Sequence, residues 1–232
     1  MEFDTAVTLF KRYNIELNAD QYEKLSRYAK LLQSEGKRQN VTAVDEPDEV
    51  WTRHFLDAAY LTDRIPFGVA VIDIGTGGGI PGIPLAILRS DLEITLLDSE
   101  LRKIGFCEYA AAETGISIRT LAGRAEELAH DANYREQFDC AVSRAMAAGS
   151  MLTELAIPFV RTGGMLIAMK GRGYSAETEP FAGAAAALHA EKPEITPYTL
   201  EGEQKYLITV RKSAETPAQY PRRFAKIKRS PL

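Results

Sequence analysis

Val71-Ile-Asp-Ile-Gly-Thr-Gly-Gly-Gly-Ile-Pro-Gly82 is the stretch on which the fold turns. The apolar run 69–74 has the composition of a buried β-strand, carries Asp73 near its end and breaks at Gly75. Pro81 and Pro84 sit near the start of a helix-type pattern. Glycines here let the backbone take positive φ and approach a ligand closely. Exposed N–H groups at the start of the next helix favour negatively charged groups. Strand, glycine turn and helix in this order hold a nucleotide, or a nucleoside-bearing cofactor, at the carboxyl end of the first strand of an α/β sheet.

Downstream of this stretch the pattern alternates. Short β-type runs fall at 93–97, 117–121, 138–143, 165–170 and 206–212, with helix-type segments at 84–88, 102–114, 125–129 and 150–160. Parallel strands need crossover helices, so repeated β-α units of this length predict a parallel, doubly wound sheet. An alanine-rich helical segment, 175–189, leads to runs 195–200 and 206–210 with Gly202 between them, which predicts a closing antiparallel hairpin. The expectation is an α/β fold with a seven-stranded, mostly parallel sheet and a C-terminal antiparallel hairpin, spanning 65–215.

Upstream, residues 1–64 read as a helical extension. Phe3, Val7 and Phe10 fall at helical spacing, and Asn18 with Gln21 forms a candidate capping box for a helix whose Tyr22, Leu25, Ala29 and Leu32 share one face. Gly36 stops that helix, and another starts near Pro47 and runs through Trp51, Phe55 and Ala58. Residues 37–44 form a basic-to-apolar connector. The extension reads as a helical cap on the main core, and His54, beside Arg53 and Asp57, as structural. Residues 216–232 hold no acid but carry Arg222, Arg223, Lys226, Lys228 and Arg229, interleaved with Tyr220 and Phe224. A frayed, solvated terminus is one reading of this tail. Phosphate contact with base stacking is the other.

Composition sets limits. Hydrophobic residues at 45% and charged residues at 26% are those of an ordinary globular chain. A net charge of −4 argues against a uniformly basic nucleic-acid binder while allowing local basic patches. Cys107 and Cys140 lack metal-ligand spacing, which argues against cysteine-ligated zinc or a disulfide framework and for a reducing cytoplasm. The first residues lack a basic, apolar leader, and no apolar run is long enough to span a bilayer.

The glycine loop has two spellings. Gly77, Gly79 and Gly82 match a dinucleotide fingerprint, which would suit an NAD-dependent oxidoreductase. Asp73, Gly75, Gly77 and Gly79 instead resemble the first motif of class I (Rossmann-like) S-adenosylmethionine-dependent methyltransferases. Both want an acid after the second strand to accept hydrogen bonds from ribose hydroxyls, and Asp98 fits either; it also suits a helix N-cap. The hairpin-like end and the lack of a second domain lean towards a methyltransferase.

The chain as a whole resembles the bacterial small-subunit ribosomal RNA guanine-N7 methyltransferases, the glucose-inhibited division protein B family. The resemblance rests on Asn40-Val-Thr-Ala, Arg53-His-Phe-Leu-Asp57, the loop from Asp73 to Pro84, Gly123-Arg-Ala-Glu-Glu127, Ser143-Arg-Ala145, Lys170-Gly171 and Tyr220-Pro-Arg-Arg-Phe224. At Leu101-Arg-Lys-Ile-Gly-Phe106 the family more usually has a Lys-Arg and a Phe-Leu pair. The resemblance implies S-adenosylmethionine as cofactor, contacted by Gly75 and Ile80, with Gly77 in the same loop, Ala125 and Glu126 beside the adenine, and Arg144 at the end of the fourth strand. It implies 16S ribosomal RNA, or the small ribosomal subunit, as partner, with guanine 527 of the 530 loop as target. No membrane and no obligate protein partner are expected.

Several methylation chemistries lack their residues here. Attack by an exocyclic amine uses a polar-Pro-Pro-aromatic motif after the fourth strand, where this chain has Ser143-Arg-Ala-Met146. Pyrimidine C5 methylation needs a thiolate. Cys107 lies in a helix-type run and Cys140 within a strand, so neither is placed for it. Catechol-type O-methylation needs metal-binding carboxylates, and none cluster at these strand ends. Guanine N7 carries its own lone pair and loses no proton, so no general base is nominated. Arg124, Arg144 and Lys170 fall at or just beyond strand ends and are candidates to orient RNA. A non-catalytic RNA-binding factor on the same fold is the remaining alternative.

Overall fold

The computed structural model describes residues 1–36, 47–175 and 181–232. The helices are α1 Phe3–Lys11, α2 Ala19–Leu31, α3 Pro47–Val50, α4 Leu56–Ala59, α5 Gly82–Leu88, α6 Leu101–Thr114, α7 Ala125–Leu128, α8 Gly149–Ala156, α9 Ala182–Ala187 and α10 Phe224–Arg229. The strands are β1 Ala70–Ile74, β2 Glu93–Asp98, β3 Arg119–Ala122, β4 Phe138–Arg144, β5 Val160–Lys170, β6 Glu194–Leu200 and β7 Glu203–Arg211. They form a seven-stranded sheet in the order β3-β2-β1-β4-β5-β7-β6. Strands β1 and β4, β2 and β3, and β4 and β5 pair in parallel, whereas β7 runs antiparallel to β5 and β6. The alternation of β-type and helical runs predicted this sheet and its closing hairpin, which turns on Glu201 and Gly202 at positive φ.

The described chain forms two compact units. The first comprises residues 1–69 and 76–122, the second residues 70–75 and 123–232.

In the first unit, the Asn18 side chain accepts from the Gln21 amide at 2.9 Å and the Gln21 side chain accepts from the Asn18 amide at 3.0 Å. This is the expected capping box, and it fixes the start of α2. Gln21 Nε2 also donates to the Leu88 carbonyl, at the end of α5. The apolar face of α2 continues into an aromatic cluster in which Tyr28 stacks on Phe55 and Trp51 meets Phe10 and Phe55 edge-on. Between α3 and α4 the helix widens into a π-turn, Trp51–Phe55, and His54 and Asp57 are buried there. After α5, Arg89 donates to Asp91 and to the carbonyls of Thr62, Ile65 and Pro66, which secures the segment leading to β1. Hydrogen bonding from Arg89 holds the Asp91 carboxyl down at about 2.

In the second unit, the tail is strapped down. Arg135 donates to the carbonyls of Ala129, Thr216 and Tyr220, and the His130 ring meets the Pro221 carbonyl at 2.8 Å. Lys212 is fully buried and donates to Glu136 and to the Val160 carbonyl, each at 2.7 Å. Burial lowers the Lys212 pKa, with the Glu136 pairing opposing it.

The largest departures from expectation are at two helices. The helix expected over 150–160 stops at Ala156. A short 3-10 turn at Ile157–Phe159 carries Pro158, which cannot donate the next helical hydrogen bond, and Val160 already belongs to β5. The helix expected over 175–189 is confined, among the described residues, to Ala182–Ala187, and His189 follows at φ 57°. The connector 37–44 and Asn40-Val-Thr-Ala lie outside the described residues.

Candidate functional site

In the first unit the loop after β1 is built around its glycines. Gly77 sits at φ 60° and Gly79 at φ 94°. The Thr76 amide donates to the Leu97 carbonyl, which fixes the loop to the end of β2, and the Gly79 and Ile80 amides both donate to the Thr76 carbonyl. Tyr28, from α2, donates through its hydroxyl to the Gly78 carbonyl at 2.5 Å. A Cβ on Gly79 would run into Ile83, so only glycine lets the loop settle on α5. A Cβ on Gly77 would meet nothing within 4 Å, so the backbone there faces open space. Ile80 is buried at the loop's far end.

Asp98 closes β2 as expected and is 8% exposed. One carboxylate oxygen accepts the Gly77 amide at 3.0 Å and the other accepts the Glu100 amide at 2.9 Å. Each oxygen keeps a further lone pair, the pattern a ribose diol needs. The N-cap role weighed for Asp98 is not its geometry: α6 starts at Leu101 with Glu100 at the N-cap position. Gly82, the third glycine of the dinucleotide spelling, is the first residue of α5.

In the second unit, Gly75 follows β1 at φ 70°, and a Cβ there would lie 2.6 Å from Met146 Cγ. The strand order reverses at β1 and β4, so Gly75 and Arg144 stand at the carboxyl ends that flank the topological switch point, where α/β sheets bind ligands. Ser143 Oγ donates to the Ile74 carbonyl at 2.8 Å and ties the two strand ends together. The loop beyond Arg144 passes through Ala145 at φ 55°, and Lys170 Nζ donates to the Ala147 carbonyl at 2.7 Å. Lys170 therefore braces the loop that follows Arg144.

Arg124 is the N-cap residue of α7, and its Nε donates to Glu126 Oε1. Ala125 and Glu126 are buried in the first turn of that helix. Among the basic tail residues, Arg222 departs from the expectation of RNA contact. Its guanidinium donates to both oxygens of Glu154, which is fully buried, so its charge is spent inside the protein. Arg223, Lys226, Lys228 and Arg229 are exposed on and beside α10, while Ile227 is buried beneath them.

Sequence reasoning passed over Tyr28, Met146 and the Lys170–Ala147 bond. Tyr28 was detectable, since it stands three residues after Leu25 on the apolar face of α2. Cys107 and Cys140 are both buried and form no disulfide, and burial pushes the Cys140 thiol up to about 12, so Cys140 offers no thiolate.

The fold is that of the class I S-adenosylmethionine-dependent methyltransferases. An O-methyltransferase from Bacillus cereus in complex with SAH superposes with a TM-score of 0.56 at 16% identity, covering 81% of this chain and 91% of that one. Precorrin-6y C5,15-methyltransferase from Geobacter metallireducens gives a TM-score of 0.52 at 14% identity, covering 68% and 87%. The chain belongs to the GidB family: the family model described as rRNA small subunit methyltransferase G matches residues 21–207. It is 39% identical to ribosomal RNA small subunit methyltransferase G of Desulfitobacterium hafniense, over 96% of this chain and 94% of that protein. Identity to the protein of the same name from Moorella thermoacetica is 41%, over 92% and 91%. Family membership selects the methyltransferase spelling of the loop, and the cofactor is S-adenosylmethionine. The residues present fit it, with an open backbone face at Gly77 and the two-oxygen acceptor Asp98.

Proposed function

We propose that this protein transfers the methyl group of S-adenosylmethionine to N7 of a guanine in 16S ribosomal RNA, at guanine 527 of the 530 loop. The observation that carries the reading is membership of the GidB family over nearly the full chain. When bound, the cofactor supplies an electrophilic methyl on a sulfonium centre. That methyl would pass to the N7 lone pair, which needs no proton removed from the base. The protein's task is then alignment and exclusion of water. Asp98 would accept from the ribose, Gly75, Gly77 and Ile80 would hold the methionine part, and Ala125 and Glu126 would hold the adenine. Arg144, at the end of β4 beside the loop braced by Lys170, orients the RNA. The exposed cations Arg223, Lys226, Lys228 and Arg229 contact phosphates, and Arg222 leaves that set because Glu154 holds it. No helix among the described residues is long and apolar enough to cross a membrane.

The test is cleavage of ribosomal RNA at N7-methylguanine, in RNA from cells with and without the gene. Loss of one cleavage at position 527 of the small-subunit RNA, restored by the wild-type gene and not by Arg144→Ala, is the expected result. Unchanged cleavage in the deletion strain would remove the reading.

A further inference from the structure

The basic tail carries an aromatic residue that phosphate contact does not explain. Phe224 opens α10 and is half-buried, and the Arg124 guanidinium carbon lies 4.6 Å from its ring centre. A guanidinium over an aromatic face is held by the ring quadrupole as well as by packing. The same Arg124 donates through Nε to Glu126 Oε1. Glu126 is 8% exposed, whereas Arg124 is 44% exposed, so the carboxylate is the buried member and the arginine its outer support. Among the described residues, Arg124 provides the hydrogen bond seen at the Glu126 carboxylate, which leaves Oε2 open to a donor from elsewhere. Helix α10 is in turn fixed by the buried Ile227 and by Arg222 on Glu154.

We propose that Phe224 is a positioning residue for the cofactor. Its ring holds Arg124 in place, and Arg124 sets the direction in which the Glu126 carboxylate meets the adenine amine. The inference rests on the reading that Glu126 contacts adenine. It makes the tail part of the cofactor site as well as a surface for RNA, with two jobs carried by neighbouring residues of one short helix.

The experiment is calorimetric titration of the full-length protein with S-adenosylhomocysteine. Phe224→Leu keeps the apolar bulk and removes the ring, and is expected to weaken binding about two- to five-fold, the range of one cation–π contact. Phe224→Tyr keeps the ring and should bind as wild type. Glu126→Gln should weaken binding on its own, and adding Phe224→Leu to it should cost nothing more. Matching melting curves for Phe224→Leu and wild type, together with those affinities, support the inference. Full binding by Phe224→Leu, or losses that add in the double variant, overturn it. Unchanged binding by Glu126→Gln removes the adenine reading beneath it, which is a distinguishable failure.

Discussion

Gly75 and Gly77 share positive φ but differ in what surrounds them, and this separates two reasons for being glycine. At Gly75 a methyl group would press on Met146 Cγ as well as strain the backbone. Gly75→Ala is expected to cost about 2–5 kcal/mol, the sum of left-handed strain and overpacking. At Gly77 the space is open, so Gly77→Ala pays strain alone, about 1–2 kcal/mol, and the protein still folds. That added methyl would occupy the face proposed for the cofactor, so S-adenosylhomocysteine affinity should fall by about tenfold or more, equivalent to at least ~1.4 kcal/mol. Denaturant melts and calorimetry measure the two quantities separately. Asp91 offers a pH test at the same scale. Its carboxyl is depressed to about 2 in the fold, against an ordinary value near 4. Its contribution to stability is therefore complete above about pH 4 and fades as pH falls towards 2. Asp91→Asn should lose about 2 kcal/mol at neutral pH, and the gap to wild type should narrow across that window in urea titrations.

Among the elements, α2 does more than cover the core, because its Tyr28 hydroxyl reaches the Gly78 carbonyl. Tyr28→Phe removes that bond while keeping the stack on Phe55. It is expected to cost about 1–2 kcal/mol and to weaken cofactor binding through a looser loop, which urea midpoints and calorimetry would detect. Strand and helix identities were legible because buried strands and amphipathic helices write different periods into the chain. Boundaries were less so. The start of β5 hides behind Gly163 and Gly164, where no side chain carries the pattern, and Pro158 sits in what reads as a continuing helix. The position of Asp98 was legible because it ends the apolar run that forms β2. Arg222 was not, because its partner Glu154 is 68 residues away and both would suit solvent equally well.

At the scale of the whole molecule, charge was read from the sequence as surface property, and part of it lies inside. Arg222→Met leaves the fully buried Glu154 without its counterion and should cost about 3–5 kcal/mol in urea unfolding. Adding Glu154→Leu should return most of that loss, since replacing a whole buried pair with apolar groups is close to neutral. A surface role for Arg222 predicts the opposite: little change in stability, and weaker RNA binding.

The two compact units are not consecutive along the chain. Residues 70–75 belong with 123–232, although they lie between two segments of the other unit. Within that second unit β1 pairs with β4, its backbone at Ala70 donates to Asp139, and Ser143 reaches Ile74. A gene divided at codon 122 would send β1 away with the wrong half. The downstream product would then lack the strand on which β4 assembles, so this architecture resists modular shuffling, and a split version should regain activity only when both fragments are made in the same cell.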